Sequence, residues 1–109
     1  MKLTGQAYED FEKWYGDVVM LQHKEYYTDI DYFTPSMQYG VYVDWFDSVG
    51  IYIEDKIDTD WDYKRITFYS DIDTNKEIYT TQSNEHQTRA EARSKAIEQA
   101  NEIYNNDNK

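Results

Sequence analysis

The chain has 109 residues, no cysteine, and 22 acidic against 11 basic residues, for a formal net charge of -11. That length makes a single domain with one modest core, and that charge repels nucleic acid and anionic membrane while attracting basic protein surfaces. The absence of cysteine excludes a disulfide framework, a thiolate nucleophile and a Cys-based zinc site.

Aliphatic residues are scarce and aromatics make up 17%, so the core must lean on Tyr, Trp and Phe, which need partners for their OH and NH groups. The aromatic content argues against disorder for most of the chain. The start shows no apolar signal segment. The longest aliphatic run, Val18–Leu21, is far short of the ~20 residues that span a bilayer. The expectation is a cytoplasmic protein with no membrane contact.

The first element reads as a helix. Thr4 is its N-cap, and Leu3 is placed to pack on Tyr8 as a hydrophobic staple. Ala7, Phe11, Trp14, Tyr15 and Val18 form one apolar stripe. Gly16 is the weak point, where the helix ends or from which it continues to about His23. Residues 24–37 look irregular, and Pro35 disfavours a helix through Thr34.

Gln38–Phe46 then alternates, with Tyr39, Val41, Val43 and Trp45 on one face, and predicts a strand. Val49–Lys56 predicts its antiparallel partner across an Asp47-Ser48 turn, with Gly50 relaxing the twist or forming a bulge. A third strand is expected over about Tyr63–Ile72. A short polar edge strand is expected over about Lys76–Thr81.

The last helix is the best marked. Thr88 and Glu91 form a capping box, and Ala92, Ala96, Ala100 and Ile103, flanked by Ile97 and Tyr104, make a stripe of small and aliphatic residues. Residues 105–109 are expected to be a disordered tail. The predicted fold is α+β, ordered α-β-β-β-(β)-α over residues 1–104. An antiparallel sheet of three to four strands carries both helices on its aliphatic face.

Motifs for chemistry are weak. Asp58-x-Asp60-x-Asp62 invites a calcium reading, but Tyr63 and Tyr69 stand where an EF-hand loop needs Gly and Glu. His23 and His86 have no companion in sequence, no serine sits in a nucleophile elbow, and no glycine cluster forms a phosphate loop. No cofactor, metal or catalytic residue is assigned.

What stands out is residues 29–73. They carry eleven acids and three bases, a net of -8, together with two of the three tryptophans. The face of the predicted sheet away from the helices would hold Tyr42, Asp44, Tyr52, Glu54, Tyr63 and Tyr69, and with Asp60 and Asp62 of the acidic loop between strands these are the candidate partner-binding residues. Aromatic patches of this kind mark binding surfaces. The acids among them argue against stacking on RNA bases.

Three stretches carry a resemblance. Leu3-Thr4-Gly5-Gln6-Ala7-Tyr8-Glu9-Asp10-Phe11-Glu12-Lys13-Trp14-Tyr15 resembles the opening of small uncharacterised proteins encoded by bacteriophages and prophages. Residues Met37 to Gly50 and Thr88 to Arg93 resemble their middle and closing motifs. The resemblance implies a phage-derived α+β protein in a bacterial host cell. It implies no activity, and these stretches mostly mark strand, turn and cap positions, so they carry fold rather than function.

Three functions are therefore open. The first is a non-enzymatic acidic module that binds a host or phage protein with a basic surface. Its sharpest form is a DNA-mimic inhibitor of a nucleic-acid-processing protein. The second is a structural or assembly protein that forms a homo-oligomer through its tyrosine-rich face. The third is a small enzyme of unknown reaction.

Overall fold

Pro35 begins a helix where the alternation of residues 38–46 predicts a strand. The computed structural model describes residues 1–20, 29–80 and 86–108. Helix α1 (Gly5–Trp14) runs on into a π-helical stretch at Tyr15–Met20, and a 3-10 turn follows at Ile30–Tyr32. Helix α2 (Pro35–Ser48) leads into strands β1 (Ile51–Asp60), β2 (Arg65–Thr74) and β3 (Ile78–Thr80), and helix α3 (Arg89–Asp107) closes the order.

The fold is α+β, with helices towards both termini and an antiparallel sheet. The predicted first strand is corrected to α2. Thr34 is its N-cap, with Oγ1 accepting from the Met37 N–H at 3.3 Å. Pro35 takes the first helical position, where it has no hydrogen bond to lose. Tyr39, Tyr42, Trp45 and Phe46 are buried at three- and four-residue spacing. Gly50 is corrected too. It adopts φ +84 just after the helix, and its N–H donates to the Asp47 carbonyl at 3.3 Å, a glycine C-cap rather than a bulge.

The sheet is in substance the β1–β2 hairpin, paired from Ile51↔Thr74 to Asp60↔Arg65. The three residues of β3 run along the other edge of β2. Ile51, Ile53 and Ile72 turn one face towards the helices; Ile51 and Ile72 are buried. Helices α2 and α3 pack on the sheet, and α1 packs on α3 rather than on the strands.

The core is aromatic. Phe11 meets Tyr42 edge-on at 5.0 Å and Trp45 at 5.8 Å, and Trp45 in turn meets Tyr104 at 5.0 Å. Such edge-on and tilted pairs add roughly 0.5–1.5 kcal/mol each beyond the area they bury.

Helix α3 behaves as sequence predicts at its start and departs from expectation at its end. Thr88 Oγ1 accepts from the Glu91 N–H at 3.2 Å, and Ala92, Ala96, Ile97, Ala100 and Ile103 are buried. The helix then runs through Asn105 and Asn106 to Asp107, over the expected tail.

The reason is the start of α1, whose cap is supplied from outside. Thr4 makes no side-chain cap bond within its own helix. Asn101 of α3 instead accepts from the Thr4 N–H at 2.8 Å and donates to Thr4 Oγ1 at 3.0 Å. Asn105 joins it there, and Tyr104 donates a short hydrogen bond to Asp10. Polar groups that would otherwise be left open at a helix end are satisfied by the neighbouring helix.

The molecule is elongated, 52 × 31 × 18 Å, with a radius of gyration of 15.2 Å. A compact domain of this length is expected near ~13 Å. The hairpin contributes to the difference. Each strand has ten residues, about 34 Å at ~3.4 Å per residue. Every residue from Asp58 to Ile66 is exposed.

Candidate interaction surface

The turn at the tip is built by its own residues. Asp60 Oδ1 accepts from the backbone N–H groups of Asp62 at 3.1 Å and Tyr63 at 3.3 Å. Aspartate commonly bonds the backbone two residues on and so nucleates a turn. Lys64 takes the left-handed conformation, φ 50, that lets the chain re-enter β2. The Asp58-x-Asp60-x-Asp62 pattern is thus split between strand and turn, with one Asp60 oxygen committed to the backbone. Among the described residues no group of three or more His, Asp or Glu side chains is arranged to hold a metal ion.

Alternation along the hairpin gives its outer face, turned away from the helices, a definite composition. From base to tip β1 presents Tyr52, Glu54, Lys56, Asp58 and Asp60. They stand opposite Asp73, Asp71, Tyr69, Thr67 and Arg65 of β2. Glu54 and Asp71 face each other directly, a like-charge pair that costs stability. Lys56 eases it, with Nζ 3.3 Å from Glu54 and 3.8 Å from Asp71. The hydrogen bond to Glu54, and then its charge, raise the Lys56 pKa. Two bases, Lys56 and Arg65, stand among five carboxylates on this face. Beyond it the tip holds Trp61, 83% exposed, and Tyr63, 81% exposed.

Six of the eight residues expected at a binding surface lie on this hairpin. Tyr52, Glu54 and Asp60 share the outer face with Tyr69, and Asp62 and Tyr63 belong to the tip. The other two do not join them. Tyr42 sits on α2 and is buried against Phe11, not on a sheet face. Asp44 is exposed, but also on α2. Both placements follow from the helix that replaces the predicted strand.

The inner side of the same hairpin holds a network that sequence reading missed. Tyr39 of α2 donates to Asp55 Oδ1 at 2.6 Å, and Arg93 of α3 donates from Nε to Asp55 Oδ2 at 3.2 Å. The Arg93 guanidinium also lies 4.8 Å from the centre of the Tyr39 ring. Burial, and next the bond to Asp55, push the Tyr39 hydroxyl pKa far up, so it stays a donor. This carboxylate therefore ties α2, β1 and α3 together. Nothing in the sequence distinguishes it from its acidic neighbours. Further out, Arg89 stacks over Phe68 at 5.5 Å, and Ile57 and Ile66 stay 54% and 56% exposed.

No protein family, curated protein or solved structure matches the chain. No helix among the described residues is long and apolar enough to cross a membrane.

Proposed function

We propose that this protein is a non-enzymatic interaction module whose acidic, aromatic-tipped β-hairpin binds a protein with a basic surface. One observation carries the reading: five carboxylates, Glu54, Asp58, Asp60, Asp71 and Asp73, lie on one face of a projecting hairpin, against two bases. A folded domain gains nothing in stability from Glu54 opposite Asp71. A partner's lysines and arginines would relieve that repulsion on binding.

The sharpest form is a DNA mimic. Same-face residues of a strand recur about every 6.8 Å, so Glu54, Asp58 and Asp60 stand in one line along β1, interrupted by Lys56. A groove built for phosphates, in a nuclease or polymerase of a bacterial host, would accept such a row. Trp61 and Tyr63 would supply the aromatic anchors in which interface energy concentrates.

The test is affinity capture on the immobilised protein with increasing salt. A nucleic-acid-processing protein released at moderate salt, and displaced by duplex DNA, is the expected result. Retention that tolerates high salt contradicts it, because charge-driven binding is screened.

Self-association is the second reading. The exposure of Ile57 and Ile66 on the inner side favours it. Sedimentation at two salt concentrations separates the two readings: an apolar contact between copies survives salt, and strengthens as the charge of -11 is screened.

A further inference from the structure

A second surface, remote in sequence from the hairpin, has the makings of a site for a small organic cation. A cleft of about 250 Å³ opens between α1, the 3-10 turn and α2. Its rim carries the carboxylates of Glu12, Asp29 and Asp31, with Lys2 as the single base among its described lining residues. Its floor is aromatic. Phe11 and Tyr42 stand 5.0 Å apart, and Tyr8 lines the same cleft.

Tyr42 is the independent observation. It is 6% exposed, it lines the cleft, and no described residue hydrogen-bonds its hydroxyl. The residue is buried, but its hydroxyl is not a sealed, unsatisfied atom: it opens on the cleft, where an incoming donor can reach it. Burial first, then the charges of Asp31 and Glu12, keep this hydroxyl protonated. It can therefore donate to a carboxylate while its lone pair accepts from an incoming N–H. Asp29 is partly committed, since its Oδ1 caps the Asp31 N–H at 2.9 Å. Glu12 and Asp31 have no such tie among the described residues.

We propose that this cleft binds an alkylammonium group. The charged head would lie between Glu12 and Asp31 and donate to the Tyr42 hydroxyl, and the alkyl stem would rest on the Tyr8 ring, the exposed aromatic of the cleft. Carboxylates at a rim over aromatic faces attract cations by charge and by the ring quadrupole together. The same head group is offered by a free amine and by a lysine side chain. This site is independent of the hairpin and stands whether or not the hairpin has a partner.

The test is an NMR titration of the tyrosine ring signals. The probes are n-butylammonium, an acetylated trilysine amide, and neutral n-butanol. The expected result is saturable movement of the Tyr8 and Tyr42 signals with a cationic probe and none with n-butanol. Tyr42→Phe and Asp31→Asn should each weaken binding about tenfold, the scale of one charge-assisted hydrogen bond. Glu98→Gln, which removes the same charge from the exposed side of α3, should change it less than twofold. Lys2→Ala should tighten it. Binding of both cationic probes supports the site with a free amine as ligand, and binding of the peptide alone supports it with a partner's lysine. No saturable shift with either probe overturns the proposal. So does equal weakening by Glu98→Gln and Asp31→Asn, or wild-type binding by both Tyr42→Phe and Asp31→Asn.

Discussion

Asn105 of α3 holds the first turn of α1 with both ends of its amide. Its Oδ1 accepts from the Ala7 N–H at 2.8 Å, and its Nδ2 donates to the Thr4 carbonyl at 2.9 Å. Two positions nearly a hundred residues apart are thereby fixed to each other. Asn105→Ala leaves a helix N–H and a carbonyl without these partners. It should lower stability by about 1–3 kcal/mol, read as a shift in the urea midpoint at constant slope. An unchanged midpoint would mean that the clamp is replaced by water at no cost.

Gly5 sits inside this clamp at φ +63, and a Cβ there would come within 3.0 Å of Asn105 Nδ2. Gly5→Ala should therefore destabilise by about 1 kcal/mol or more through backbone strain alone. Part of the loss should be relieved in the Asn105→Ala background, which a double-mutant cycle detects as coupling.

Gly40 gives the opposite expectation. It lies on the exposed side of α2, and a methyl group added there would meet nothing within 4 Å. Gly40→Ala should raise stability by roughly 0.5–1 kcal/mol, the helix-propensity difference. Thermal melting measures it, and a lowered melting temperature would speak against a helix at 35–48.

How much of this was legible in the sequence depends on the element. The capping box at Thr88 and Glu91 and the alanine stripe of α3 repeat a helical period with no competing reading. Residues 38–46 satisfy two periods at once. Tyr39, Val41, Val43 and Trp45 alternate, while Tyr39, Tyr42, Trp45 and Phe46 keep helical spacing. Pro35 and Gly50 decide between them, because proline suits a first helical position and glycine a C-cap. The acidic surface was legible in large part, since the hairpin gathers six of the expected residues. Tyr42 was misplaced with the helix. The ties of Asp55 to Tyr39 and Arg93, and of Asn101 and Asn105 to α1, are long-range contacts with no local pattern.

The Tyr104–Asp10 hydrogen bond makes stability depend on pH at both ends. Burial, and then the bond to Asp10, push the Tyr104 pKa up to about 12. An unfolded tyrosine loses its proton near pH 10. The stability contributed by the folded phenol is thus complete below pH 10 and is lost as pH rises towards 12. Asp10 is held below its ordinary value of 3.8 by Tyr104 and then by Gln6. Its contribution is present above that value and lost as pH falls through the lower folded one. Urea midpoints between pH 8 and pH 11 should fall less in Tyr104→Phe than in the wild type. Parallel curves would refute the linkage.

The measurement that tests the central claim most directly is salt-dependent capture from a bacterial lysate by three baits. They are the wild type, Glu54→Lys with Asp58→Lys on the outer face of the hairpin, and Asp44→Lys on α2. All three residues are exposed, so each variant is expected to fold, and near-wild-type melting verifies it. A hairpin that binds a basic protein predicts one protein retained by the wild type and by Asp44→Lys, released by moderate salt, and lost from the double reversal. Retention of that protein by the double reversal at the same salt would contradict the account.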